Sequence, residues 1–159
     1  MRSSVELHDS TISAITVEGP SVRISVDAYV HRWERVDSRW KGTGWIQPVQ
    51  MLLANAPNAE RAECPVDLAG GKVQAGLVTY NNLVPLPFDS SGSATLRLEL
   101  ATGRVLEFDA GRLVLEPTGE GRYVEDLPND LRPSNACEQA CAAVGGRRDD
   151  EPPRLKRGR

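Results

Sequence analysis

The stretch at 22–33, VRISVDAYVHRW, constrains the fold most because its alternate residues differ sharply in chemistry. Side chains on a β-strand point to opposite faces in turn, so the even positions from Val22 to Val30 form one apolar row. The odd positions carry Arg, Ser, Asp, Tyr, His and Trp. The pattern predicts a long strand whose even row enters a hydrophobic core and whose odd row faces solvent.

Short strand signals separated by turn residues run through most of the chain. Residues 5–7 and 11–18 predict an interrupted first strand, 34–44 a polar loop and 57–71 a connection. Pro48 lacks an N–H, so the strand after 45 is expected to begin at a sheet edge or to contain a bulge. Leucines alternate with charged residues at 96–100, and turns at 102–103 and 109–111 predict a three-stranded antiparallel meander ending at 116. The sequence predicts an all-β fold, either an antiparallel β-sandwich or a partly open barrel of about seven or eight strands.

The chain of 159 residues is long enough for one domain, and its composition divides it unequally. Residues 1–133 are predicted to form the β-domain. A short helix is expected at 134–146, with Ser134 or Asn135 as its cap and Gly145-Gly146 as its end. Residues 147–159 are charge-rich and contain Pro-Pro, which predicts a disordered tail.

Charge and cysteine content narrow the classes of partner. The net charge of −3 offers no electrostatic reason to expect nucleic acid. No segment approaches the ~20 apolar residues of a membrane span, and no secretory leader is apparent. Three cysteines argue against a disulfide framework, so a cytoplasmic location is expected. The oligomeric state stays open.

The odd row and the tryptophans that follow it form the candidate binding surface. Aromatic side chains beside charged ones are typical of interaction surfaces and of sugar-stacking sites. The members are Asp27, Tyr29, His31, Trp33, Trp40 and Trp45. Two structural alternatives stay open: another element covers the row, or Trp33 and Trp45 pack as a cross-strand pair with Trp40 exposed.

His8-Asp9-Ser10 is a second candidate. His8 and Asp9 could act as a ligand pair or an acid/base pair, or Asp9 or Ser10 could simply bond nearby backbone in a turn. Ser10 lacks a G-x-S-x-G context. Cys137 and Cys141 share a predicted helix face, but zinc needs more ligands at suitable spacing, so neither metal nor cofactor is expected. Glu99 and Glu107 are interpreted as surface charges.

The run Leu7-His8-Asp9-Ser10, followed by Ile12, Ile15, a turn and a β-rich strand, resembles the opening of small bacterial all-β domains of unassigned function. These domains commonly begin with an apolar residue and His-Asp-Ser or His-Asp-Ala. The segment at 96–116 is similar to their closing meander. The resemblance implies an immunity or accessory role and carries no catalytic residue.

We therefore expect a binding or accessory module without catalysis, which contacts a protein partner through its aromatic and polar sheet face. Two alternatives remain at this point. One is binding of a small ligand or carbohydrate on the same face. The other is a hydrolase that uses His8 or His31 with Asp9 or Asp27.

Overall fold

The computed structural model describes residues 1–132 and builds them from eleven β-strands, rather than the seven or eight expected. A 3₁₀ turn at Asn129–Leu131 is the only helical segment within that range. The helix expected at 134–146, with Cys137 and Cys141, and the tail at 147–159 lie outside the described residues. The strands are β1 (Arg2–Glu18), β2 (Ser21–Val36), β3 (Arg39–Ala54), β4 (Val66–Ala75), β5 (Val78–Asn81), β6 (Leu83–Pro85), β7 (Phe88–Asp89), β8 (Ala94–Leu100), β9 (Val105–Ala110), β10 (Arg112–Pro117) and β11 (Arg122–Leu127).

Three long antiparallel strands, β1 to β3, form the frame of the sheet. β2 and β3 are joined by Asp37 and Ser38, both with positive φ (47° and 62°), as two-residue hairpin turns of the primed type require. The prediction of a polar loop at 34–44 is therefore wrong, because β2 continues to Val36 and β3 begins at Arg39. Asp-Ser is a weaker signal for such a turn than Asn-Gly, and for this reason the hairpin was not foreseen.

The hydrogen-bonded strand order is β7-β10-β3-β2-β1-β4-β8-β9, with β11 beside β3, β5 beside β4 and β6 beside β1. Within residues 1–132 the terminal strands β7 and β9 do not pair with each other, so the sheet is open. Gly111 alone separates β9 from β10, which lie near opposite ends of this order. The sheet must therefore curve, and Phe108, Leu113 and Ile24 share one core cluster.

Of the predicted three-stranded meander, the first hairpin forms and the second does not. β8 and β9 form the expected hairpin, in which Leu98 lies opposite Leu106. The third strand is wrong: β10 pairs with β3 and β7, because the Gly111 N–H donates to the Ala54 carbonyl (2.8 Å) and directs the chain onto β3. The segment predicted to be a connection, 57–71, contains the start of β4 at Val66. No strand was predicted at the position of β11.

Pro48 lies in an internal strand and not at an edge. Its carbonyl accepts the Thr118 N–H at 2.9 Å, on the side of β3 that faces β10 and β11. The backbone N and C=O of one strand residue point to the same side of the strand. The nitrogen of Pro48, which has no hydrogen to donate, therefore faces the gap between β10 and β11. β10 pairs with β3 from Val49 and β11 pairs from Ile46. The proline thus sits where β3 changes its partner.

An irregular bulge with several extra residues interrupts β1 at His8-Asp9-Ser10. Glu6 lies opposite Tyr29 and Thr11 lies opposite Asp27, so residues 7–10 face Ala28 alone. The Ser10 hydroxyl closes the bulge by donating to the Glu6 carbonyl (2.6 Å) and accepting the Tyr29 N–H (3.0 Å). The interpretation of Ser10 as a residue that bonds nearby backbone is confirmed.

We expect Ser10→Ala to lower the free energy of unfolding by about 1–3 kcal/mol, since it removes the hydroxyl that bonds the partly buried Glu6 carbonyl and the buried Tyr29 N–H. Urea denaturation measures the loss. Ser13→Ala is the matched control, because the Ser13 hydroxyl donates to the Ser25 carbonyl at an exposed position; its cost should stay within about 0.5 kcal/mol. Equal losses in the two variants would contradict the role given to Ser10.

Candidate functional site

The second half of the odd row of β2, from Tyr29 to Trp33, is buried where it was expected to be open. Tyr29, His31 and Trp33 are only 8%, 5% and 3% exposed, so the prediction that they form a contact surface is wrong. Asp27, on the same row, is exposed as predicted. The even row from Val22 to Val30 is buried, which confirms the core assignment.

Two glycines of β3 allow these rings to lie flat on the sheet. Gly42 lies opposite Trp33, and a Cβ at Gly42 would overlap the indole ring. A Cβ at Gly44 would overlap the Tyr29 phenol in the same way. Aromatic rings that cover cross-strand glycines replace the packing that the glycines lack. We call the face of the sheet that carries Tyr29, His31 and Trp33 the outer face. It is therefore covered here by its own side chains.

Tyr29 and His31 also take part in a short polar network with Glu125 and Glu6. His31 Nε2 is 2.6 Å from Glu6 Oε2, and the Tyr29 hydroxyl donates to Glu125 Oε1 at 2.5 Å. The Tyr29 and His31 rings meet edge to face, with 5.4 Å between their centroids. Burial, followed by the hydrogen bond and charge of Glu125, raises the pKa of Tyr29 well above its ordinary value.

Two buried nitrogens of this network have no hydrogen-bond partner among residues 1–132. They are His31 Nδ1 and Trp33 Nε1. His31 Nε2 faces the Glu6 carboxylate and donates to it, so the contact with Glu6 is the one hydrogen bond of this ring within residues 1–132.

The bulge brings Glu6, His8 and Asp9 together. His8 Nδ1 is 3.0 Å from Asp9 Oδ1, and the donor atoms of the three side chains lie within 4.8 Å of one another. His8 and Asp9 are exposed, whereas Glu6 is partly buried. Sequence analysis missed Glu6, although its position two residues before His8 on a strand was a signal that they share a face.

Trp40 and Trp45 lie on opposite faces of β3, so the single surface predicted from Tyr29 to Trp45 does not form. Trp40 is on the outer face, with the guanidinium carbons of Arg132 and Arg2 at 4.4 and 5.7 Å from its ring centroid. Trp45 lies opposite Val30 on the inner face. The alternative of a Trp33–Trp45 cross-strand pair is wrong for the same reason.

Trp45 instead belongs to a different cluster, which we call the inner aromatic surface: Arg32, Trp45 and Tyr123. The Arg32 guanidinium carbon is 4.1 Å from the Trp45 centroid, and the Tyr123 ring meets Trp45 edge to face at 5.7 Å. Tyr123 is 49% exposed. No pattern in the sequence identified Tyr123, because β11 pairs with β3 far along the chain.

Ser10 is not available as a nucleophile. The Ser10 hydroxyl is held by two backbone groups and is buried. Cys64, the free thiol of residues 1–132, directs its Sγ at the Ala62 carbonyl (3.4 Å). Glu99 lies 3.7 Å from Arg97 on an exposed face, as expected of a surface charge.

No protein-family model matches the chain, and neither a curated protein nor a solved structure is significantly similar to it. The resemblance to small bacterial all-β domains therefore stays a prediction. Among residues 1–132, no helix has the length and apolar character needed to cross a membrane.

We expect Gly42→Ala and Gly44→Ala each to lower the free energy of unfolding by about 1–3 kcal/mol, because the added methyl group displaces a packed ring. Gly92→Ala is the control, since a Cβ there meets no atom within 4 Å and its φ is not positive. Chemical denaturation should place Gly92→Ala within about 0.5 kcal/mol of the wild type. A tolerated Gly44→Ala would show that the Tyr29 ring does not depend on this glycine.

The raised pKa of Tyr29 predicts a loss of stability in alkali. Above about pH 10, tyrosine in the unfolded chain releases its proton while folded Tyr29 keeps it, so the unfolding free energy falls as pH rises. Tyr29→Phe should flatten this dependence, measured by urea unfolding between about pH 8 and pH 11. Tyr123→Phe should leave most of the slope, because Tyr123 is exposed. Identical slopes for wild type and Tyr29→Phe would refute the assignment.

Proposed function

We propose that this chain is a binding or accessory module without catalysis, which contacts a protein partner through the inner aromatic surface. The observation that carries the proposal is the stack of Arg32, Trp45 and Tyr123, in which Tyr123 is 49% exposed and the other two side chains are partly buried. It keeps the predicted class of function but replaces most of the predicted contact residues. Of those, Trp45 alone belongs to this surface.

The composition of this surface supports a protein partner. Tryptophan, tyrosine and arginine are the residues most enriched among those that dominate binding energy in protein interfaces. Their positions are already restrained: Trp45 Nε1 donates to Thr43 Oγ1 (2.8 Å), and Arg32 Nη2 donates to Gln47 Oε1 (3.0 Å). A surface ordered before binding loses less side-chain entropy when the partner arrives.

Carbohydrate binding is the weaker alternative because a stacked sugar needs an open aromatic face. One face of Trp45 is covered by the Arg32 guanidinium. A Cβ built at Gly121 would lie 3.4 Å from Trp45 Cε3, so the backbone also approaches the ring there. The exposed member of the cluster is Tyr123.

We also infer that the curved sheet is a two-layer sandwich, the finer form of the predicted fold. The passage from β9 to β10 through one glycine and the shared core of β2, β9 and β10 support this arrangement. A cytoplasmic location stays a prediction, based on the cysteine content.

The test places a photo-crosslinking amino acid at position 123 of the full chain in its native host. A discrete protein adduct is expected from position 123 and none from position 77, where Leu77 is fully exposed on the β4–β5 turn. With the adduct partner purified, Tyr123→Ala should weaken binding at least about thirtyfold, the equivalent of about 2 kcal/mol, and Leu77→Ala should leave it unchanged.

Three results would count against the proposal. The first is equal cross-linking from both positions. The second is unchanged partner affinity in Tyr123→Ala. The third is a glycan array response that Tyr123→Ala abolishes, which would favour the carbohydrate alternative.

A further inference from the structure

We propose that Glu6, His8 and Asp9 form a binding site for a divalent transition-metal ion. The proposal is independent of the inner aromatic surface, because it involves different residues on β1. Sequence analysis expected no metal, but that expectation considered the cysteines and the scattered histidines. Alternation along a strand places Glu6 and His8 on one face and Asp9 on the other, and the bulge in β1 brings Asp9 to the same side.

The donor atoms are close enough to share one ion. His8 Nδ1 and Asp9 Oδ1 are 3.0 Å apart, and each lies within 4.8 Å of a Glu6 carboxylate oxygen. Ligands bound at about 2.1 Å from one metal are roughly 3–3.5 Å from each other. His8 and Asp9 are exposed, so small side-chain rotations suffice to bring all three atoms to that separation.

The buried His31 lies behind one of the proposed ligands. Its side chain is 7% exposed and directs Nε2 at Glu6 Oε2 (2.6 Å). This hydrogen bond holds the Glu6 carboxylate in place and leaves its second oxygen for an ion, which is the usual role of groups behind metal ligands. His31 is thus a positioning residue.

Local charge also favours a cation. Glu6, Asp9 and Glu125 all add to the raised pKa of Tyr29 through their negative charge, so they act on the same small region. Among residues 1–132, the ion pairs of Glu6 and Asp9 are with His31 and His8, and neither has a Lys or Arg partner. A divalent cation would neutralise carboxylate charge that no Lys or Arg of the described residues offsets.

The donor set indicates the class of metal. One imidazole and two carboxylates suit zinc and its first-row neighbours, whereas calcium and magnesium prefer sets made only of oxygen. Three protein donors leave at least one position for water or another ligand. Backbone bonds hold the site in place: the His8 N–H donates to Asn82 Oδ1 (2.7 Å), and Ser10 closes the bulge.

The two histidines of the chain give the test a direct readout. We expect one equivalent of Zn²⁺, added to the full-length protein, to shift the His8 ring-proton resonances in NMR spectra. His8→Gln assigns the two sets of signals. Zinc bound only by the cysteines would leave the His8 signals in place, so this readout separates the two possibilities. Calorimetry then measures the affinity.

Asp9→Asn should reduce the zinc affinity at least tenfold, and Asp27→Asn, an exposed aspartate on the neighbouring strand, should leave it unchanged. Glu6→Gln, which can still contact His31, should also weaken binding. His31→Gln should do so by about 10–100-fold if circular dichroism shows an intact fold. The metal site is refuted if His8 does not respond to zinc or if Asp9→Asn binds as tightly as the wild type. Equal competition by Mg²⁺ or Ca²⁺ would refute the class of metal.

Discussion

The Ser10 hydroxyl is the contact on which this end of the molecule depends. It takes the place of a broken sheet ladder by bonding Glu6 on its own strand and Tyr29 on the next. Through that closure, four residues of β1 are accommodated opposite one residue of β2. Leu7 still enters the core by alternation from Val5, and the bulge brings His8 and Asp9 close to Glu6. A single buried hydroxyl thus couples the strand geometry to the proposed metal site.

A second constraint is steric: the aromatic rings of the outer face need free space above the backbone of β3. Trp33 and Tyr29 can lie on the sheet only because β3 carries glycine at positions 42 and 44. The Tyr29 ring meets His31 edge to face, and the His31–Glu6 contact is largely buried, which strengthens it. Tyr29, His31 and Trp33 are consequently covered, and the proposed contact with a partner is assigned to the inner aromatic surface instead.

Local patterns predicted much of this architecture correctly. Alternation identified the buried even row of β2 and the leucine row of β8, because core-facing side chains in a strand recur at every second position. Turn chemistry located the β8–β9 hairpin at Thr102-Gly103. It failed at Asp37-Ser38, where non-glycine residues adopt positive φ, and at Gly111, where the chain leaves one part of the sheet and joins another.

Local sequence patterns were enough to establish an antiparallel β-protein and the core row of β2. Both follow from residues close together in the chain, whereas the contact of Ser10 with Tyr29 joins two strands. The tertiary structure alone decided which side chains share a site. Exposure of Tyr29, His31 and Trp33 depended on glycines one strand away, and the partner of Trp45 came from β11. Such contacts follow from strand order and register, which a single sequence does not specify when the intervening residues give no local signal.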